Sequence, residues 1–143
     1  MGSPPADPAA FGHVPVLAEP LLAGLIVRHA TREDFDRMAH CLREGERADS
    51  FEAFEYWDGA LHEALSAATH NAFFMLCLRN MSEARENGEW GRLKQQALTA
   101  ARRRRYEAQH RKLVSALCAR DETAATALIR EHLEEVRRNL FGG

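Results

Sequence analysis

The stretch FEAFEYWDGALHEALSAAT, residues 51–69, carries the reading that decides the fold. Behind an N-cap at Ser50, the apolar residues Phe54, Leu61 and Leu65 recur at helical steps and share one inward face. Asp58 and His62 interrupt that same face. Four residues apart on a helix, their Cβ atoms lie about 5–6 Å from each other. An acid and an imidazole placed side by side on a stripe that should be buried need a partner. The rest of the chain is read for what that partner is.

Working outward, helix follows helix. Pro15 to His29 reads as a first, mainly apolar helix. Thr31 caps a second helix that has Glu33 and Asp34 in its first turn and runs to about Arg47. Asn71 starts a helix that reaches about Arg85, where Asn87-Gly88 breaks the pattern. Residues 89–98 are ambiguous. A further helix covers Ala100 to Ala119, and Asp121 caps the last, which ends before Gly142. No stretch alternates with period two over strand length, and no internal repeat is found. About six helices with short connections predict an all-α antiparallel bundle around a central metal or ligand pocket, formed by residues 14–143. Residues 1–13 hold three prolines and little to bury, as expected of a flexible linker.

The composition excludes several classes. With 143 residues, 45% hydrophobic and 28% charged, the chain is one globular domain. A net charge of −2 argues against a surface that binds nucleic acid along its whole length. The longest apolar stretch, Val14 to Val27, contains Glu19 and Pro20 and falls short of a membrane span of about 20 residues. Secretory features are lacking at the start. Cys41, Cys77 and Cys118 are odd in number and widely spaced, which points to a reducing, cytoplasmic compartment. All three are expected to behave as small buried hydrophobes.

Two further helices repeat the anomaly of the opening stretch. His110 shares a face with Leu113, Val114 and Leu117, and His132 sits among Leu128, Ile129, Leu133, Val136 and Leu140. Singly, such a histidine is a core residue satisfied by a backbone carbonyl, and a buried aspartate is paired with an arginine. Taken together, Asp58, His62, His110 and His132 are all satisfied by one divalent cation, which neutralises the carboxylate and accepts the imidazole lone pairs. Three nitrogens and one oxygen suit a transition metal, zinc or nickel first, better than magnesium or calcium. Four protein ligands can close a tetrahedron, making the site structural. They can also fill part of an octahedron and leave two positions for water or a chelating molecule.

Other candidates carry less. Arg102 to Arg105 point in four directions around a helix, so most form a solvated face paired with acids such as Glu107. One of them, Arg103 or Arg104, lies a turn or two below His110, where its planar fork could grip a carboxylate. Asn71 is first a helix cap and second a pocket donor. His13, His29, His40 and His70 read as surface residues, and Trp57 and Trp90 as packing or interface residues. His62-Glu63 begins like H-E-x-x-H, but Ser66 stands where the second histidine belongs. A rival reading is a helical metallohydrolase or isomerase working through a metal-bound hydroxide. It needs a general base, no spare inward carboxylate is evident, and Glu63 and Glu131 point about 100° away from their neighbouring ligands. A third reading is a dimerisation module with a structural metal.

Asp58-x3-His62, then Gln109-His110, then His132 resembles the pattern of the FCD domain, the all-helical half of FadR-subfamily GntR transcription regulators. Leu17-Ala18-Glu19-Pro20 followed by Arg28-His29-Ala30-Thr31, Ala67-Ala68-Thr69-His70-Asn71, and Arg120-Asp121-x3-Ala125 are similar to other stretches of that family. The resemblance spans about residues 14–140. It implies a sensor domain, not an enzyme. Asp58, His62, His110 and His132 would hold a divalent metal that anchors a small carboxylate effector, in a protein that works as a homodimer. The family often carries an arginine a few residues before the Leu-Glu of its first helix, where it can meet the effector's carboxylate. This chain has Val14-Pro15-Val16 there, so that contact is expected to be absent or moved. Residues 1–13 are too short for a winged-helix DNA-binding domain. The resemblance therefore implies either one part of a regulator or a sensor standing alone, with DNA contacted only through a domain outside this sequence.

Overall fold

The structure is a computed structural model that describes residues 14–86 and 89–142, with side chains at residues 21–80 and 92–142. The linker expected at residues 1–13, the break at Asn87-Gly88 and the side chain of Trp90 lie outside the described residues. Seven helices are found there: α1 (Val14–His29), α2 (Arg32–Arg47), α3 (Phe51–Ala67), α4 (Ala72–Glu86), α5 (Glu89–Ala97), α6 (Ala100–Cys118) and α7 (Glu122–Phe141).

Six of these match the sequence reading to within a few residues. The seventh, α5, is the segment that reads ambiguously. It is nine residues long, too short for its few apolar positions to declare a stripe. Its end is fixed from outside, where Arg102 donates to the Ala97 carbonyl at 2.8 Å.

Most helix starts are written locally. Thr31 and Asp34 form a reciprocal capping box. Ser50 accepts from the Ala53 N–H at 3.1 Å, Asn71 from Phe74 at 2.8 Å, Thr99 from Arg102 at 3.1 Å and Asp121 from Ala124 at 3.1 Å. Two helix ends instead use a non-glycine residue in the left-handed region, His70 (φ 50°) and Arg120 (φ 56°). Such a conformation costs roughly 1–2 kcal/mol. Each is held by a contact to a distant helix end. His70 Nε2 lies 2.7 Å from Asp34, and Arg120 donates to the carbonyls of Val27 at 2.6 Å and Ala30 at 2.9 Å. Arg120 thereby caps the C-terminus of α1 from the other end of the chain. Arg120→Ala is expected to lower the unfolding free energy by roughly 1–2 kcal/mol in a urea titration, because the two carbonyls lose charged donors.

The core follows from the apolar stripes. Ile26 of α1, Met38 of α2, Leu61 and Leu65 of α3, Leu113 and Leu117 of α6 and Ile129 of α7 are all buried. Helix α3 packs chiefly on α2, while α7 packs on α1 and α6. The inward faces of α3, α6 and α7, which carry the anomalous polar residues, therefore meet at the centre of the bundle. Among the cysteines only Cys41 is buried; Cys77 and Cys118 are exposed, contrary to the sequence expectation. Cys118 is the last residue of α6, just past the buried Leu117, and Cys77 faces outward from α4. No helix among the described residues is long and apolar enough to cross a membrane.

Candidate metal centre

Asp58 and His62 project from successive turns of α3, His110 from α6 and His132 from α7. Their donor atoms converge. Asp58 Oδ1 lies 3.8 Å from His62 Nε2 and 3.7 Å from His110 Nε2. His110 Nε2 lies 3.1 Å from His132 Nε2. The donors of Asp58, His62 and His110 all fall within 4.8 Å of one another. Around a cation with bonds of about 2.1 Å, neighbouring ligands stand about 3.0 Å apart in an octahedron and about 3.4 Å in a tetrahedron. The Asp58, His62 and His110 donors are near enough to share one centre, and His132 Nε2 joins them through its approach to His110. The donor set therefore fits a divalent transition metal.

The electrostatics prepare the groups for that task. Burial alone would raise the Asp58 carboxyl, but His62, His110, the Lys94 ammonium and His132 outweigh it and hold the group below its ordinary value. Burial pushes His110 down to about 4, against the pull of Asp58 and with the help of His62. His132 is likewise held well below its ordinary value, by burial first and by its neighbour His110 second. At neutral pH these two imidazoles are uncharged, as metal ligation requires. The four corners differ in access: the side chain of His62 is 40% exposed, against 7% for His110. Solvent reaches the centre from the His62 side. A narrow open cleft between α2, α3 and α6, lined by Cys41, Trp57, Leu61 and Glu107, reaches Asp58 and His110.

Arg103 stands against the lining of that cleft, while Arg104 and Asn71 face solvent. The Arg103 fork donates to the carbonyls of Gly45 at 3.0 Å and Ala48 at 2.5 Å and to Glu107 at 2.9 Å. It also lies over the Phe54 ring at 4.9 Å, and its Nη2 closes the end of α2. Arg104 is exposed, and Asn71 is exposed and occupied in capping α4. Three residues that the sequence reading did not place at the centre surround His132. Gln109 Oε1 lies 2.5 Å from His132 Nδ1. The Tyr106 ring meets the His132 ring edge-on at 5.3 Å, and its hydroxyl accepts from Asn139 at 2.7 Å. Glu135 is 8% exposed and binds Gln109 and Arg105. An inward carboxylate therefore does exist, contrary to expectation, but both its oxygens are engaged. The available signal was its position three residues after His132, on the same helix face.

A profile of the FCD domain matches residues 16–135. The chain belongs to the FCD domain family. This FCD domain, of the kind found in GntR-type transcription regulators, is 30% identical over 129 residues to the Uxu operon transcriptional regulator of Escherichia coli K12. That match covers 87% of the present chain and 50% of the relative, so the FCD domain described here spans about half that protein's length. Its fold is similar to that of E. coli McbR/YncC, with a TM-score of 0.78 at 16% identity over 92% of this chain and 63% of the other.

Proposed function

We propose that this FCD domain is the sensing part of a transcription regulator, in which Asp58, His62, His110 and His132 hold a divalent transition metal, zinc or nickel, and a small carboxylate metabolite binds beside it. The metal supplies a Lewis-acidic anchor for the carboxylate. The observation that carries this reading is the convergence of the Asp58, His62 and His110 donors, with His132 Nε2 3.1 Å from His110 Nε2 and the two buried imidazoles already neutral. The exposed edge of His62 favours a site open to ligand over a closed structural one. The cleft that reaches Asp58 and His110 gives a route to the centre from solvent.

In this reading the domain binds and does not turn over. The engaged carboxylate of Glu135 has no free oxygen to act as a base, and the E. coli relative is named as a regulator. Effector binding shifts α3, α6 and α7 against one another and so biases an attached winged-helix domain, by the 1–3 kcal/mol typical of such coupling. The exposed Phe73 (76%) and Leu76 (54%) form one face of α4 and favour a homodimer.

The test is a melting series of the metal-loaded and the chelated protein with a panel of hydroxy acids, sugar acids, dicarboxylates and amino acids. A cognate acid at a hundredfold excess over its Kd adds about 2.7 kcal/mol. At roughly 3 °C per kcal/mol for a domain of this size, that is a rise of roughly 8 °C. The rise should vanish with chelator. No shift with any acid in the loaded protein would defeat the sensing role.

A further inference from the structure

We propose that Gln109 is the positioning residue that makes His132 a ligand, and that Glu135, backed by Arg105, decides which way the Gln109 amide faces. The proposal rests on the metal reading above and adds residues that this reading does not use.

Glu135 is buried, and as a carboxylate it can only accept hydrogen bonds. Arg105 Nε donates to its Oε1 at 2.7 Å. The Gln109 group bonded to its other oxygen must therefore be the amide nitrogen. The amide oxygen is left facing His132 Nδ1 at 2.5 Å. An amide oxygen cannot donate, so the proton of that bond sits on Nδ1. A neutral imidazole carries only one N–H, so His132 Nε2 is bare. That is the atom 3.1 Å from His110 Nε2 and directed at the shared centre.

The arrangement explains why Gln109 and His110 stand together. Successive helical residues point about 100° apart, so His110 enters the centre while Gln109 reaches across to the ligand on α7. Ligating histidines are usually oriented by a carboxylate or a backbone carbonyl. Here a neutral amide takes that place and the carboxylate stands one bond further out, neutralised by Arg105. Among the described residues Asp58 is then the one anion offering a ligand atom at the centre, and more of the cation's charge remains for an incoming carboxylate.

The experiment is competition titration of zinc against a chromophoric chelator, on the whole chain stripped and reloaded. Nitrogen-15 spectra of its histidines are recorded in parallel. Gln109→Leu and the near-isosteric Glu135→Gln should each weaken zinc binding about 10–100-fold. The protected His132 Nδ1–H resonance of the wild type should be lost in Gln109→Leu. The swap Gln109→Glu with Glu135→Gln puts an acceptor back at Nδ1 and a donor behind it, and should return affinity to within a few-fold of wild type. A residue that merely packs would give no such rescue. Wild-type zinc binding matched by both single variants would overturn the orienting role and leave the metal reading intact. A wild type that takes up no zinc would overturn both.

Discussion

Asp58→Asn is expected to leave the bundle folded and to reduce zinc affinity by at least two orders of magnitude. Asparagine keeps the volume and one oxygen of the side chain but loses its charge. Structural zinc sites bind with about 10–16 kcal/mol, so one of four ligands accounts for roughly 3 kcal/mol. That is about a hundredfold in Kd, and Asp58 contributes more than an average share because it is the only anion among the four. The fold tolerates the change for a different reason. The carboxylate is not buried in an apolar wall but faces His62 and His110 at 3.8 and 3.7 Å, and the amide can bond to the same imidazoles. Circular dichroism and urea midpoint should therefore stay near wild type while metal content measured by elemental analysis collapses. An asparagine variant that retains wild-type affinity would mean that the four groups are not the site.

How far the sequence alone discloses this centre depends on helical phase. Asp58, His62, His110 and His132 stand out because each interrupts an apolar stripe, and a stripe fixes which way its members point. Glu135 does not. The last helix alternates Glu131, Glu134 and Glu135 with Arg130, Arg137 and Arg138, and in such a run one acid turned inward looks like its solvated neighbours. Its burial depends on Arg105 and Gln109 arriving from α6, which is tertiary information. Arg103 shows the opposite case. Sequence spacing placed it near His110, but α2 ends beside it, and the carbonyls of Gly45 and Ala48 attract a five-donor guanidinium. Caps were legible because a cap is a local motif. The left-handed ends at His70 and Arg120 were not, since what holds each of them is a helix terminus far away in the chain.

Acidification of the chelated domain from pH 6.5 to 4 should destabilise it by about 3 kcal/mol through His110 alone, with His132 adding to the loss. In the unfolded chain His110 takes up its proton near the ordinary value of 6.5, whereas in the folded chain it does so at about 4. Between those values the unfolded state binds more protons, so stability is complete above 6.5 and falls as the pH drops. Asp58 and Asp34 have carboxyls held below their ordinary value of 3.8. Their contribution persists through this window and is lost only at lower pH. Urea unfolding at successive pH values reads the slope, and His110→Leu isolates it, because a variant without the imidazole should show a visibly flatter profile from 6.5 to 4. The same pair bears on loading. Since His110 and His132 are unprotonated at pH 7, zinc has no proton to displace from either. Calorimetric titration in two buffers of different ionisation enthalpy should then give nearly equal heats at pH 7. A large buffer dependence there, or a wild-type profile as flat as that of His110→Leu, would mean that the imidazoles at the centre carry protons and do not stand ready for a metal.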